Sequence, residues 1–371
     1  MRPGSPEGPV ALSSATSALA DTRPFWLWRA VEAADRFARL HFWGFTFFLV
    51  LLGAASVSPD PTFLQLALIT AVGALFHNYA YVLNDVVDLP VDRAQPSRQN
   101  DFLVRGDVAP WQALVFALAQ VPVALGLCVW AGVDPRGTKA LLAAFVLMTI
   151  YDVWGKKCFC PPLTDLAQGL GWGGLVLFGA YAVGEPTPAT WVAFASGAGF
   201  ILLINGVHGG LRDLDNDFAQ GSRTTAIFFG TRPGERRQPV GRSLRVFAMF
   251  GQLLLVATAA WAIQGNLLGY EPKKWAAVAM LQLLLQGLNL RYMWKVFRTD
   301  SPSWGRDFRL HIFLLLLAPA LLFWPSMEGA LRFLFPIAFV GPFFLVEVTS
   351  ELMARGMEQV RHSLGVKPPA G

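Results

Sequence analysis

Ten apolar runs of membrane-spanning length mark this chain, and that feature limits its fold more than any other. The runs lie near 43–58, 62–83, 110–132, 139–155, 163–183, 190–211, 245–264, 275–294, 308–324 and 331–348. A helix needs about 20 residues to cross the hydrocarbon core of a bilayer. The first and the last two runs are short or interrupted, and Pro325 and Gly329 separate the final pair. The expectation is therefore an all-α polytopic membrane bundle of nine to ten transmembrane helices. A membrane barrel is excluded, because its strands alternate apolar and polar residues over about ten positions. Composition agrees: 54% of residues are hydrophobic, 15% are charged and mean hydropathy is +0.44. Soluble chains carry about 25% charged residues.

The polar stretches between runs are too short to bury a core of their own, so one membrane domain is expected over 39–350. Residues 1–38 read as a disordered or interfacial lead-in, rich in Pro, Gly, Ser and Ala at its start, and 351–371 as a cytosolic tail. No charged segment followed by an apolar stretch begins the chain, which argues against a cleaved signal. Cys128, Cys158 and Cys160 have no metal-ligand spacing and read as free thiols in a reducing compartment.

Lys and Arg set the orientation. With the N-terminus in the cytosol and every run crossing, only Arg136, Lys139, Lys273, Lys274 and Arg332 of the 30 Lys and Arg fall on the far side. The net charge of +5 thus follows from topology, and no nucleic-acid partner is needed to explain it. The expected placement is a multi-pass protein of the cell (inner) membrane, with lipid as its solvent.

Two acidic segments sit at the cytosolic ends of the second and sixth runs. In the first, Tyr81, Asn84, Asp85, Asp88 and Asp92 follow i, i+3, i+4, i+7, i+11 spacing, which is one stripe of a helix. Pro90 is a candidate break before Asp92. In the second, Asp213 and Asp217 are i, i+4 and share a face, while Asp215 lies about 200° round the helix from Asp213. Asn205 and His208 precede this pair, and Gly221 and Arg223 follow it. The plain alternative for any single Asp is a solvated helix end. Two carboxylate sets on one membrane face call for more, because acids at membrane depth are costly and usually functional. Paired carboxylates suit Mg²⁺, which takes one or two of them together with waters and phosphate oxygens. Nearby arginines add bidentate phosphate contacts. The constellation reads as a Mg²⁺–diphosphate site.

These residues resemble a known family. Asn84-Asp85-x-x-Asp88-x-x-x-Asp92 is similar to the first Asp-rich motif of the UbiA superfamily of intramembrane prenyltransferases, and Asp213-x-x-x-Asp217-x-x-x-Gly221 to its second. The stretch from Gly221 through Arg223 to Gly230 resembles the family's loop with a basic residue before Ser/Thr-Thr. Tyr151 followed by Lys156-Lys157 resembles its Tyr…Lys-Arg segment, one residue longer. The resemblance covers roughly 40–325. It implies a helical bundle, usually of nine crossings, around a central apolar cavity. It implies Mg²⁺-dependent transfer of a prenyl group from an allylic prenyl diphosphate donor to a small acceptor, most commonly a hydroxylated aromatic of the quinone-precursor type.

Carried over residue by residue, Asn84, Asp88, Asp213 and Asp217 hold the metal and carry catalysis, and Asp85 and Asp92 assist at the metal. Substrate-binding candidates are Tyr81, Arg98, Arg105, Tyr151, Lys156, Lys157, Asn205, His208 and Arg223. Many members carry Asn-Arg-Pro before the glycine that here is Gly106. This chain has Asn100-Asp101-Phe102, so Arg98 or Arg105 is left to supply the charge. Phe76, Tyr79, Tyr81, Tyr151 and Trp154 are candidate faces for an allylic cation, or ordinary bundle packing. His208 either meets an acceptor or bonds another helix. The alternative within the same fold is a terpene cyclase that uses an internal alkene as nucleophile. A CDP-alcohol phosphotransferase is disfavoured because Leu89 stands where that family needs Gly. An ion path is disfavoured because the acids cluster at one face.

Overall fold

The structure is a computed structural model that describes residues 25–58, 60–95, 98–99, 101–233, 240–342 and 344–345. The expected tail at 351–371 and the first part of the expected lead-in lie outside the described residues. Residues 25–38 form helix α1 (Phe25–Ala38). The long helices that follow are α2 (Trp43–Ala55), α3 (Phe63–Asp92), α4 (Pro110–Trp130), α5 (Pro135–Trp154) and α6 (Pro161–Tyr181). Then come α7 (Pro188–Arg212), α8 (Arg242–Gln264), α9 (Pro272–Val296), α10 (Trp304–Phe323) and α11 (Gly329–Pro342). All regular structure among the described residues is helical. Six of these helices, α3, α4, α5, α7, α8 and α10, are long and apolar enough to cross a membrane. Helices α2 and α11 are shorter apolar segments.

Local chemistry sets the boundaries. Proline opens α4, α5, α6, α7 and α9. Its missing N–H falls where the helix has no acceptor for one, and its fixed φ suits the first turn. A capping box starts α3: Thr62 Oγ1 accepts from Gln65 N at 3.3 Å, and Gln65 Oε1 accepts from Thr62 N at 2.9 Å.

Helix α2 is the middle of the bundle. Its residues from Phe47 to Ala55 are buried, and it packs on α3, α6 and α7. A Cβ on Gly53 would run into Val176 O of α6, and one on Gly179 of α6 would run into Val50 O of α2. Glycine at both positions lets the two backbones touch, the usual device for tight helix packing in lipid. Phe48 packs at a tilt against the rings of Phe335 and Phe339 of α11.

Contacts sort the helix ends onto two faces. Arg136 pairs with Glu185, Ser56 Oγ bonds Thr190 Oγ1 at 2.7 Å, and Lys274 donates to Pro325 O at 3.1 Å on one face. The acidic motifs occupy the other.

Two local expectations change. Pro90 does not end α3 before Asp92; the helix continues through it to Asp92, which is buried. Pro90 lies in the last turn, so a single hydrogen bond is lost and no following turn has to be built on it. The second acidic segment is not one continuous helix. The α7 backbone widens into a π-helical turn over Ile204–Gly209, resumes for Gly210–Arg212, and breaks at Asp213 before a short helix, Leu214–Ala219.

Candidate active site

The carboxyl end of α3 presents Asn84, Asp85, Asp88 and Asp92. The segment after α7 presents Asp213 and Asp217, and the loop after α5 presents Lys156. Lys156 joins the two acidic motifs: its Nζ lies 2.9 Å from Asp88 Oδ2 and 3.5 Å from Asp217 Oδ1. Asp88 and Asp217 are both buried. The i, i+4 relation of the second motif survives the break, because Asp217 N still donates to Asp213 O at 2.9 Å. Asp215 is exposed, as its helical angle requires. The 221–225 loop is anchored by Arg223 N donating to Lys156 O at 2.8 Å, so it lies beside the same lysine, with the Arg223 side chain exposed.

Basic residues hold the outer carboxylates. Arg98 bonds Asp85 Oδ1 at 3.2 Å and Asp101 at 2.7 Å, and it lies 3.5 Å from Asp92 Oδ2. Arg39 pairs with Asp85 and lies 5.0 Å from the Tyr81 ring centroid. Arg39 has φ 49°, a left-handed conformation that side-chain-bearing residues seldom adopt. That bend between α1 and α2 aims the guanidinium at the acids. Asp35 secures the bend, accepting from His41 N at 2.8 Å. Arg212 grips Asp213 with two bonds, of 3.0 and 2.7 Å.

Electrostatics follow from burial. The Asp217 carboxyl is pushed above the usual carboxylate range by burial, against the pull of Lys156. Burial works against the Lys156 charge, but Asp88 and Asp217 more than restore it, so the ammonium persists to higher pH than a free lysine.

The oxygen-donor set fits Mg²⁺. Asp217 Oδ1 is buried, and its partner is the Lys156 ammonium at the long distance of 3.5 Å; it is a hard acceptor already facing a cation. Among the described residues no three His, Cys, Asp or Glu converge into a closed metal cage. Mg²⁺ needs no such cage where phosphate oxygens complete its shell.

Other sequence candidates lie elsewhere or face another way. Arg105 pairs with Asp107 and lies over Phe102, so of the two candidate replacements only Arg98 reaches the acids. Lys157 is exposed. His208 bonds Leu203 O at 3.1 Å and His311 Nδ1 at 2.9 Å, which makes it a helix-to-helix contact. Asn205 is half-buried in the π turn. Tyr81 packs between Phe42, His77 and Trp172, and Tyr151 is half-buried against the core. Phe76 and Tyr79 are buried, whereas Trp154 is 53% exposed and lines no interior site.

Three residues at the site carry signals that spacing alone passed over. Asp152 is buried beside Asn84, whose Nδ2 lies 3.4 Å from Asp152 Oδ1 and 3.5 Å from Asp88 Oδ2. Its Oδ2 is unpaired. Asp165 of α6 is buried and accepts from Thr225. Both are acids inside apolar runs, which is the signal that finds them. Arg39 is the third, and only its bend reveals it.

An all-helical membrane bundle with paired acids at one face defines the class, and comparison with known proteins defines the family. The UbiA prenyltransferase family matches residues 42–317, and this chain belongs to it. A 4-hydroxybenzoate octaprenyltransferase of Ralstonia nicotianae is 27% identical over 177 residues, which is 48% of this chain and 58% of that protein. The chain therefore aligns with little more than half of that relative's length. The apo structure of a UbiA homologue from Aeropyrum pernix K1 superposes with TM-score 0.57 at 15% identity, over 76% of this chain and 96% of that one. A UbiA homologue from Archaeoglobus fulgidus bound to GPP and Mg²⁺ superposes with TM-score 0.57 at 16% identity, over 78% and 99%. These likenesses establish the shared fold.

Proposed function

We propose that this protein transfers a prenyl group from an allylic diphosphate to a small hydroxylated aromatic acceptor inside the membrane, in a Mg²⁺-dependent reaction. The observation that carries the reading is the convergence of Asp88 and Asp217 on one ammonium. Two motifs far apart in the chain supply oxygens to one cation-sized point. The names of the relatives agree, one for its hydroxybenzoate acceptor and one for bound GPP and Mg²⁺.

Asn84, Asp88, Asp213 and Asp217 would hold the metal, with Asp85 and Asp92 at its margin. Held there, Mg²⁺ would supply neutralisation of the charge on the leaving diphosphate. Lys156 meets the leaving diphosphate from the side of the 221–225 loop, and Arg98 and Arg223 add charge-assisted bonds. Tyr81, backed by Trp172 and carrying Arg39 over its ring, gives an aromatic face toward the donor's first carbons. The apolar bundle excludes water that would otherwise capture the allylic cation. In the membrane we place nine or ten crossings, with the N-terminus and the acidic face in the cytosol of the inner membrane.

Purified protein incubated with prenyl diphosphates of increasing length and a panel of hydroxylated aromatics should yield alkylated acceptor and free diphosphate with Mg²⁺, and neither with a chelator. A cyclic hydrocarbon formed without any acceptor would replace this reading with the cyclase. Near-normal turnover in both Asp88→Asn and Asp213→Asn would remove the site assignment.

A further inference from the structure

A second polar site lies within the bundle, on helices that do not carry the acidic motifs' main members. Gln282, Gln286 and Asn289 follow i, i+4, i+7 spacing on α9 and form one stripe. The stripe faces a cleft closed by Gln252 of α8, Ser196 of α7, and Leu315 and Pro319 of α10. Gln252 and Asn289 are almost wholly buried, at 0% and 1% exposure.

Ordinary interhelical bonding explains only half of these amides. The Gln282 NH₂ donates to Ala318 O at 2.7 Å. The Asn289 NH₂ donates to Leu285 O at 3.1 Å and Leu314 O at 3.2 Å. The Gln286 NH₂ reaches Gln282 Oε1 at 3.5 Å. With their donors committed, Gln286 Oε1 and Asn289 Oδ1 remain buried without a partner. Gln252 spends one end of its amide on His311 Nε2, at 3.1 Å, and its other end is buried and unpaired as well. Three unmet amide atoms on two helices thus line one cleft. A buried polar atom with no partner costs about 1–3 kcal/mol, and hydrocarbon offers no relief.

The chemistry of a complement is narrow. It must donate hydrogen bonds, because two of the three free atoms are fixed acceptors. It must be uncharged, because no acidic or basic side chain lines the cleft and an unpaired ion at this depth is costly. It must be small at its polar end: the cavity volume is about 20 Å³, and roughly 10–15 Å³ admits one water. Apolar walls, Leu255 and Leu322 among them, flank that end.

We propose that this cleft is an intramembrane binding site for a neutral hydroxyl group that accepts from the Gln252 amide nitrogen and donates to Gln286 Oε1 or Asn289 Oδ1; a water can donate to both, an alcohol or phenol to one. The hydroxyl belongs either to a water or to the head of a lipid-soluble alcohol or phenol. The site shares no residue with the acidic centre, so it stands independently of the reaction assigned there.

The test uses crystals of the full chain grown in lipid, at a resolution that shows ordered water, with and without a 4-bromophenol soak. Density within hydrogen-bond distance of Gln286 Oε1 or Asn289 Oδ1, or of both where the occupant is water, is expected. An anomalous bromine peak beside it identifies a phenol-type occupant, and unchanged density without bromine identifies water. An empty cleft in both crystals overturns the proposal. A second reading comes from melting of Gln286→Leu. If a hydroxyl satisfies Oε1, the variant melts at or below the wild-type temperature; a clearly higher melting temperature shows an unmet oxygen and overturns the proposal.

Discussion

Lys156 holds Asp88 and Asp217 at the same time, at 2.9 and 3.5 Å, although the two acids come from different helices and distant parts of the chain. The lysine is a tethered counter-ion for a pair of buried carboxylates. Under the proposed function, its amine would turn toward the diphosphate once the acids held the metal.

Replacing Lys156 by Met should separate two roles. Without metal, the buried pair loses its cation, and stability should fall by about 2 kcal/mol, the scale of a charged hydrogen bond. Saturating Mg²⁺ and diphosphate should recover most of that loss, because the cation is replaced. Melting curves with and without the ligands check it. Turnover should stay low in both conditions.

If Asp217 holds the metal as proposed, proton and metal should compete for it. Burial raises the pKa of its carboxyl, so the proton begins to win at a higher pH than at an ordinary carboxylate. The Mg²⁺ concentration for half-maximal diphosphate release should therefore rise as pH falls, starting above the usual carboxylate range. For folding the sign is the reverse. A raised carboxyl pKa favours the folded state at low pH, and that contribution is lost as pH rises through the folded-state value. Metal titrations across pH in wild type and Asp217→Asn test the first point; the variant should lose most of the dependence.

Asp152 touches Asn84 and not the lysine, so its loss should act through positioning. Asp152→Ala should weaken apparent Mg²⁺ affinity by about 10-fold, the usual effect of removing an orienting partner. Asp215→Ala, on the exposed side of the second acidic segment, should leave it within about twofold, since surface changes seldom reach a buried centre.

Gly53→Val places a side chain against Val176 O at the α2–α6 crossing. Forcing atoms into a packed core costs about 1–3 kcal/mol. The variant should melt lower than wild type in detergent, and Gly126→Val, where nothing lies within reach, should melt close to it.

The helix positions were legible because apolar runs are long and because proline punctuates them. The acidic stripe was legible because Asn84, Asp85 and Asp88 keep helical spacing within a single element. What escaped has a common physical cause. Asp152 and Asp165 join the site through tertiary packing, which no local spacing reports. Arg39 depends on a backbone bend that its neighbours do not announce. His208 reads as a ligand or, more readily, as a strut, and His311, far along the chain, decides for the strut. Lys156 and Lys157 are adjacent and chemically alike, and only the turn after α5 decides which one faces inward.

Helix α2, though a short apolar segment, comes before the helices that enclose it. Its contact through Gly53 and Gly179 waits for α6, and the packing of Phe48 waits for α11. Of its partners only α3 follows directly; the others arrive after several further helices. Its almost wholly apolar surface suits both conditions, lipid before those helices arrive and their side chains afterwards.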